Sequence, residues 1–145
     1  MNSIHFKTTL FFLTFVFALF SGVQAQDKNE IVDFWLTGEE RSHIEIFKKG
    51  DKFYGKIAWI KEPKDPETGK PKTADNGEPL MNMEILKDFV YEDGEWVDGT
   101  IYDPEAGKTY YCSIEMDGDD KIKIRGSVDP MGWLGRTEVW TRVKK

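Results

Sequence analysis

Histidine and cysteine are the scarcest reactive residues of this chain, with two histidines and one cysteine in 145 residues. Cys112 has no partner for an intramolecular disulfide, so a folded domain has to be held together by its own core. Beyond the N-terminal residues His43 is the only histidine, and a zinc site built from it would need carboxylates as its other ligands. We therefore predict no metal site and no cofactor.

Positive charge is also scarce relative to negative charge. The chain has 20 lysines and arginines against 26 acidic residues, a formal net charge of −6. A surface of this sign repels nucleic acid and anionic lipid headgroups. We expect no nucleic-acid partner.

Long hydrophobic runs are absent except for one near the N terminus. Residues 10–20 are almost entirely apolar, and the small residues Val23-Gln24-Ala25 follow shortly after them. A helix of eleven residues is about 16 Å long, roughly half of a bilayer core, so a permanent transmembrane anchor is disfavoured. The pattern is typical of a signal peptide. We predict a signal peptide over residues 1–25, cleavage after Ala25, a periplasmic or extracellular protein, and a single domain over residues 26–145.

The rest of the chain is rich in short apolar runs that alternate with polar residues and are separated by turn residues, a pattern that predicts β-strands. The predicted strands are residues 31–37, 41–48, 53–60, 83–91, 96–102, 109–116, 121–127 and 136–143. Ile85, Leu86 and Phe89 also fit a short helix, but the turn Glu92-Asp93-Gly94 directly after them favours a hairpin. Residues 26–30 are polar, and we expect them to be frayed.

Eight antiparallel strands with mostly short connections predict an all-β fold, an eight-stranded up-and-down barrel, because closure removes the exposed sheet edges. One connection is long: residues 61–82 contain four prolines and two glycines. A loop of this length in a compact domain is either a lid or binding loop, or a surface excursion. A barrel of eight strands holds one small ligand or is filled by its own side chains, and that choice decides the function.

Aromatic and apolar residues suggest where a ligand would bind. Alternation places Phe53, Gly55, Ile57 and Trp59 on one face of their strand. The candidate inward-facing ligand residues are Ile57, Trp59, Ile101 and Ile124. Arg125 and Arg136 flank the loop that contains Trp133, where they would form a cationic rim for a carboxylate or sulfate headgroup. The alternative for both arginines is ion pairing with surface acids.

Asp65-Pro66-Glu67-Thr68-Gly69-Lys70 and Asp103-Pro104-Glu105-Ala106-Gly107-Lys108 are two nearly identical acidic segments. Neither has the ligand spacing or the terminal bidentate acid of a calcium loop. Proline, aspartate and glycine at these positions are instead typical of one turn type. We interpret both segments as turns.

No catalytic signature stands out. Cys112 alternates in phase with the apolar residue Ile114, whereas His43 lies opposite Ile44, so the two are predicted to face opposite sides of the wall and do not form a nucleophile and base. Asp98 with Asp103 or Glu138 could serve as the two carboxylates of a glycosidase-type mechanism. Nothing in the sequence distinguishes these three from the other acidic residues. We predict that the protein is not an enzyme.

Several segments together resemble a known family. They are Tyr54-Gly55-Lys56-Ile57, Trp96-Val97-Asp98-Gly99-Thr100-Ile101-Tyr102-Asp103-Pro104, Gly107-Lys108-Thr109-Tyr110, Ile124-Arg125-Gly126 and Gly135-Arg136-Thr137-Glu138-Val139-Trp140-Thr141-Arg142. In this order they resemble the exported bacterial family called domain of unknown function 2147, over about residues 31–143. The resemblance implies a small secreted protein, periplasmic in Gram-negative bacteria, with no established activity.

Asp33-Phe34-Trp35 and Arg142 are similar to the two ends of calycin barrels, which include lipocalins and fatty-acid-binding proteins. Those barrels begin with G-x-W and end with an arginine that packs over the tryptophan; here Asp33 replaces the glycine. The similarity implies that Trp35 and Arg142 form a structural pair. We also assign structural roles to Gly99, Asp103, Gly107, Gly126, Gly135 and Trp140.

Three functions are open from the sequence. The first, which we expect, is an exported barrel that binds a small apolar or amphipathic molecule. The second is an envelope interaction module with a filled barrel and an exposed aromatic patch, for example at Trp133 and Tyr111. The third is a hydrolase that uses Asp98, Asp103 and Glu138. The mature protein is expected to have no transmembrane anchor, and the sequence specifies no protein partner.

Overall fold

A computed structural model describes residues 25–145 of the chain. Its strands are β1 (Phe34–Leu36), β2 (Ser42–Lys49), β3 (Lys52–Ile60), β4 (Glu84–Glu92), β5 (Glu95–Asp103), β6 (Lys108–Met116), β7 (Lys121–Ser127) and β8 (Gly135–Arg142). Each strand pairs antiparallel with the next, and β8 pairs with β1, so the sheet closes in simple chain order. The predicted eight-stranded barrel is confirmed.

The N-terminal part of the prediction is not tested by the structure. Apart from Ala25, the predicted signal peptide of residues 1–25 lies outside the described residues, so export stays a prediction. Within residues 25–145, no helix has the length and apolar character needed to cross a bilayer.

The segment that also fitted a helix is strand β4, and a bulge explains its misleading pattern. Asp88 has a φ of 64° within the strand and adds a residue that breaks the two-residue alternation. Leu86 and Phe89, three positions apart, consequently both face the interior and are fully buried. The ring of Phe89 lies against Gly99 of β5, where a Cβ atom would come within 2.4 Å of it. Glycine is therefore required at this position for β4 and β5 to pack.

The first strand is shorter than predicted, because the residues before it form a cap over one end of the barrel. Residues 26–31, the N-terminal cap, contain a turn, and the side chain of Ile31 is completely buried. Backbone carbonyls of the cap accept hydrogen bonds from buried ring donors: Trp35 Nε1 donates to Ile31 at 2.8 Å and Trp96 Nε1 to Lys28 at 3.0 Å. The prediction of a frayed segment is wrong, because polar residues supply backbone acceptors that buried tryptophans need.

The seam between β1 and β8 is the narrowest pairing in the barrel, with only two paired positions. Arg142 reinforces it. Its guanidinium carbon lies 4.4 Å from the ring centroid of Trp35, and its Nη1 donates to Asp33 Oδ2 at 2.8 Å. Its remaining donors reach the carbonyls of Glu30, at 3.2 Å, and Asp119, at 2.9 Å. One side chain thus ties the cap, β1, β8 and the β6–β7 turn together.

Asp33, which occupies the glycine position of the calycin pattern, has a defined role at this seam. Burial by itself raises the pKa of the Asp33 carboxyl, but hydrogen bonds from Arg142 and from the amide of Phe34, with the charge of Arg142, outweigh burial and lower it below its ordinary value. The carboxylate is therefore stabilised in its charged form by the arginine that closes the barrel.

The two acidic turns share the same hydrogen-bond pattern. Asp65 Oδ1 accepts from the amides of Glu67 and Thr68, and Asp103 Oδ1 accepts from those of Glu105 and Ala106. Each turn ends in a glycine with a φ in the left-handed region, 67° at position 69 and 64° at position 107. The repeated segments have the geometry expected of one turn type.

Substitution of Asp33 by asparagine tests the seam. At pH 7 we expect the variant to lose about 1–2 kcal/mol of unfolding free energy, because the charge of Arg142 is left without its partner. The pKa of Asp33 is lower in the folded protein than in the unfolded chain, where it is about 4. Its contribution to the free energy of unfolding is therefore fully present above the unfolded pKa and is lost as the pH falls through the folded pKa. Urea unfolding from pH 7 to pH 2 should show the difference between wild type and Asp33→Asn shrink towards zero. A difference that is constant with pH would contradict the ion pair.

Candidate functional site

A cavity of about 1160 Å³, counted together with its open mouth, lies at one end of the barrel. The open end is surrounded by the β1–β2, β3–β4, β5–β6 and β7–β8 connections, whereas the N-terminal cap covers the opposite end. The interior is therefore filled only in part.

Aliphatic side chains from five of the eight strands and the β3–β4 connection form most of the cavity wall. They are Ile44, Ile57, Ile60, Leu80, Ile85, Ile101 and Ile124. For Ile44, Ile57 and Ile124 the inward direction follows from strand alternation, since their immediate neighbours along the strands face the outside. The tyrosines Tyr102 and Tyr110 add amphipathic rings to the wall. Such a surface excludes water and favours an apolar guest.

The closed end beneath the cavity is packed with large aromatic residues, which stops the cavity from running through the barrel. They are Trp35, Phe53, Phe89, Trp96 and Trp140. The rings of Phe53 and Trp96 meet edge to face, with centroids 6.3 Å apart, an arrangement that aromatic quadrupoles favour. This layer provides a rigid base for the cavity.

Charged residues line the cavity mouth, and two of the four cations among them are already paired. Arg41 forms ion pairs with Glu39 and with Glu105 Oε1, the latter at 3.1 Å. Lys72 lies 3.9 Å from a carboxylate oxygen of Glu62. Arg136 and Lys61 differ: within residues 25–145 no carboxylate lies within ion-pair distance of either cationic group. A cation without a partner at the mouth of an apolar cavity is available to an anionic headgroup.

Below Arg136, the inward-facing residues of β7 and β8 include a glycine that leaves free volume and a glutamate that adds a polar group. Gly126 is paired with Arg136, and Ile124 with Glu138. A Cβ atom built on Gly126 would meet nothing closer than Ile101, at 3.5 Å, so this glycine leaves open volume in the wall. The carboxylate of Glu138 accepts a hydrogen bond from Trp140 Nε1 at 3.2 Å. Nothing in the sequence distinguishes Glu138 from the other acidic residues, whereas the structure places it in the cavity lining.

The long connection 61–82 forms one side of the mouth. It folds back on itself through two isolated bridges, Lys64 with Pro71 and Thr73 with Pro79. Asp75 of this loop packs against Gly107, where a Cβ atom would lie 2.9 Å from its carboxylate. The loop is thus anchored to the β5–β6 turn.

Trp59 does not face the cavity, contrary to the prediction. His43 pairs with Trp59 but Ile44 pairs with Ile57, which leaves Ala58 as an extra residue in β3. Beyond such a bulge the alternation of faces is reversed. Trp59 is therefore 40% exposed and packs against His43 outside the barrel, with ring centroids 4.5 Å apart and the ring planes tilted by 36°. Ile60 takes the inward position instead.

Arg125 is likewise not at the rim of the cavity. Its neighbours Ile124 and Gly126 face inward, so Arg125 faces outward. Its Nε and Nη2 donate to the carbonyl of Gly132 at 2.8 and 2.5 Å, and Nη1 donates to Thr137 at 3.2 Å. It fastens the β7–β8 connection from outside. Of the six predicted ligand residues, Ile57, Ile101, Ile124 and Arg136 line the cavity.

Of the candidate catalytic residues, Asp103 and Glu138 line the cavity, whereas Cys112, His43 and Asp98 do not. Cys112 is buried inside the wall, and burial raises the pKa of its thiol to about 12, while His43 lies outside on Trp59. Asp98 is at a bulge with a φ of 58°, and the Oδ1 atom of Asp103 accepts hydrogen bonds from its own turn. Within residues 25–145 no cluster of three metal-ligating side chains occurs.

Comparison with known proteins agrees with this architecture. Residues 33–142 match a family described as "Uncharacterized protein conserved in bacteria (DUF2147)". The solved structure of protein HP1028 from Helicobacter pylori, described as belonging to the lipocalin family, is similar with a TM-score of 0.63 and 23% identity, covering 79% of this chain and 84% of that one. At this identity the likeness shows the fold alone. No curated protein matches the chain. Both resemblances noted in the sequence are confirmed.

Alkylation of Cys112 tests its position. The thiolate is the reacting form, and a raised pKa together with burial keeps the thiol neutral and shielded at pH 8. We expect iodoacetamide to modify the folded protein at least about a hundredfold more slowly than the urea-unfolded protein. The matched control is Tyr111→Cys in a Cys112→Ser background, because residue 111 is adjacent but half exposed. Equal rates for the two cysteines in the folded state would contradict a structural Cys112.

Proposed function

We propose that this chain, which belongs to the DUF2147 family of uncharacterized proteins conserved in bacteria, binds a small amphipathic molecule in the open end of its barrel. The observation that carries the proposal is the cavity of about 1160 Å³. Pockets for small molecules typically have volumes of about 300–1,000 Å³ and combine apolar walls with a few polar groups. The volume here, which includes the open mouth, is somewhat larger than that range.

The distribution of polarity in the cavity supports an amphipathic rather than a purely apolar ligand. The deep wall is aliphatic apart from Glu138, and the other charged residues are at the mouth. A molecule with an apolar body and a charged end would bury the body and keep the end near water, so no charge would be desolvated without a partner. Arg136 is the group positioned to meet an anionic end, such as a carboxylate, and Gly126 leaves room for the body beneath it.

The binding surface is preformed, which supports function as a binder. The wall residues belong to strands of one closed sheet, and the large aromatic residues form a packed base. A ligand that enters this space would not have to order the protein around it, so little of its binding energy would be lost. The alternative of an interaction module with a filled barrel does not fit the open cavity. We favour binding over catalysis because Cys112, His43 and Asp98 lie away from the cavity lining. Asp103 and Glu138 do line the cavity, but Asp103 Oδ1 accepts hydrogen bonds from its own turn and Glu138 accepts one from Trp140.

A leucine at position 126 tests whether the cavity binds a ligand. Gly126 faces the open space with only ordinary contacts around it, so the larger side chain would occupy the ligand's volume rather than clash with the fold. We expect the affinity for the fluorescent apolar anion anilinonaphthalene sulfonate to fall at least about tenfold, as overpacking a filled site costs about 1–3 kcal/mol. Titration of the fluorescence measures it.

The matched control is Thr141→Leu, which adds a side chain on the outside of β8. It should bind the probe as wild type does, and circular dichroism should show both variants folded. Equal probe affinity in Gly126→Leu and wild type would contradict binding in the cavity.

Arg136 is expected to select the headgroup. In Arg136→Gln the affinity for dodecanoate, measured by displacement of the probe, should fall about three- to tenfold, because a charge-assisted hydrogen bond at a partly exposed site is lost. The affinity for dodecanol, which carries no charge, should change little. Arg41→Gln is the control, since that guanidinium is already paired with two glutamates. If the affinities for dodecanoate and dodecanol fell equally in Arg136→Gln, Arg136 would not recognise the charged headgroup.

A further inference from the structure

The β7–β8 connection displays four large apolar side chains to solvent beside the cavity. In residues 128–134, the mouth loop, the exposed fractions are 64% for Val128, 75% for Met131, 80% for Trp133 and 70% for Leu134. Three of the four also border the cavity mouth, Met131 being the exception. Apolar residues scattered singly on a surface need no explanation, but a contiguous group of them marks a contact surface.

Hydrogen bonds hold the mouth loop in one shape. The carboxylate of Asp129 accepts from the amides of Trp133 and Leu134 at 3.0 and 2.6 Å. The amide of Val128 donates to the carbonyl of Leu134 at 3.0 Å, and the guanidinium of Arg125 donates to the carbonyl of Gly132. The apolar side chains are therefore presented on an ordered backbone, so a contact made by them would cost little ordering entropy.

We propose that the mouth loop inserts into the surface of a phospholipid bilayer and brings the cavity mouth against it. The size of the patch distinguishes this occupant from a protein. Four side chains amount to a few hundred Å² of apolar surface, whereas a stable protein interface needs about 800 Å² from each partner. A lipid surface needs only the insertion of a few apolar and aromatic side chains, and tryptophan suits the boundary between headgroups and acyl chains.

The charge of the protein narrows the class of lipid. The chain carries a net charge of −6, so long-range attraction to an anionic bilayer is absent, and binding has to come from apolar insertion. The expected surface is a zwitterionic phospholipid such as phosphatidylcholine, with little dependence on salt. The inference goes beyond the proposed function and does not require an occupied cavity, although it would give an amphipathic molecule a direct route between bilayer and barrel.

Sedimentation with phosphatidylcholine vesicles, without added ligand, tests this inference. Wild type should bind, and Trp133→Ser combined with Leu134→Ser should bind at least about tenfold more weakly, because two inserting side chains are lost. The matched control is Phe34→Ser with Val90→Ser, which removes two exposed apolar residues from the outer wall away from the loop. It should bind as wild type does. Raising the salt from low to physiological concentration should change wild-type binding less than twofold.

Other outcomes overturn the inference. Failure of wild type to sediment with vesicles, or equal binding by wild type and the loop variant, would exclude insertion of the mouth loop. Concentration-dependent self-association of wild type that the loop variant loses, without vesicle binding, would assign the patch to a second copy of the chain. Gly126→Leu separates the two proposals: it should lose the probe but keep vesicle binding. If probe binding fails in wild type while vesicle binding persists, only the proposed function is refuted.

Discussion

Closure of the barrel depends on the contact of Arg142 with Trp35 and Asp33. β1 has three residues and pairs with β8 at two positions, so backbone hydrogen bonds alone give this seam little strength. Arg142 compensates by stacking on the indole of Trp35, pairing with Asp33 and donating to two carbonyls. Its planar, multidentate guanidinium suits this task better than a lysine ammonium. Because the ion pair is partly shielded from solvent, loss of one partner would leave the other charge less well compensated than it would be in water.

The cavity is a consequence of how side-chain volume is distributed along the barrel axis. The closed end uses the largest residues, with Trp35, Trp96 and Phe53 fully buried and the N-terminal cap supplying acceptors for the indoles. The open end uses isoleucines and, at Gly126, no side chain at all. An eight-stranded barrel has just enough width to be filled or to hold one small ligand, so this gradient of volume decides between the two. The charged mouth and the mouth loop then determine what can approach the space.

Most of the fold follows from features that the sequence states locally. Two-residue alternation and turn residues delimit the strands, and eight short-connected strands imply closure. Two residues were assigned to the wrong face, Trp59 because a bulge interrupts the alternation and Arg125 although the alternation holds there. The extra residue Ala58 reverses the faces beyond it and turns Trp59 outward, and no glycine or proline announces the bulge. Arg125 is different, because the alternation that places Ile124 inward already predicts an outward Arg125. The N-terminal cap escaped prediction because its backbone carbonyls, not its side chains, carry the contacts, and these depend on tertiary structure.

Nuclear magnetic resonance of isoleucine methyl groups during titration with dodecanoate tests the central claim most directly, that the barrel is closed at one end and accepts a guest at the other. The account predicts saturable shifts at Ile57, Ile101 and Ile124 in the cavity wall, and none at Ile31 and Ile122, which are buried at the packed end. Absence of shifts at the wall positions at a saturating ligand concentration, or equal shifts at both ends, would contradict it.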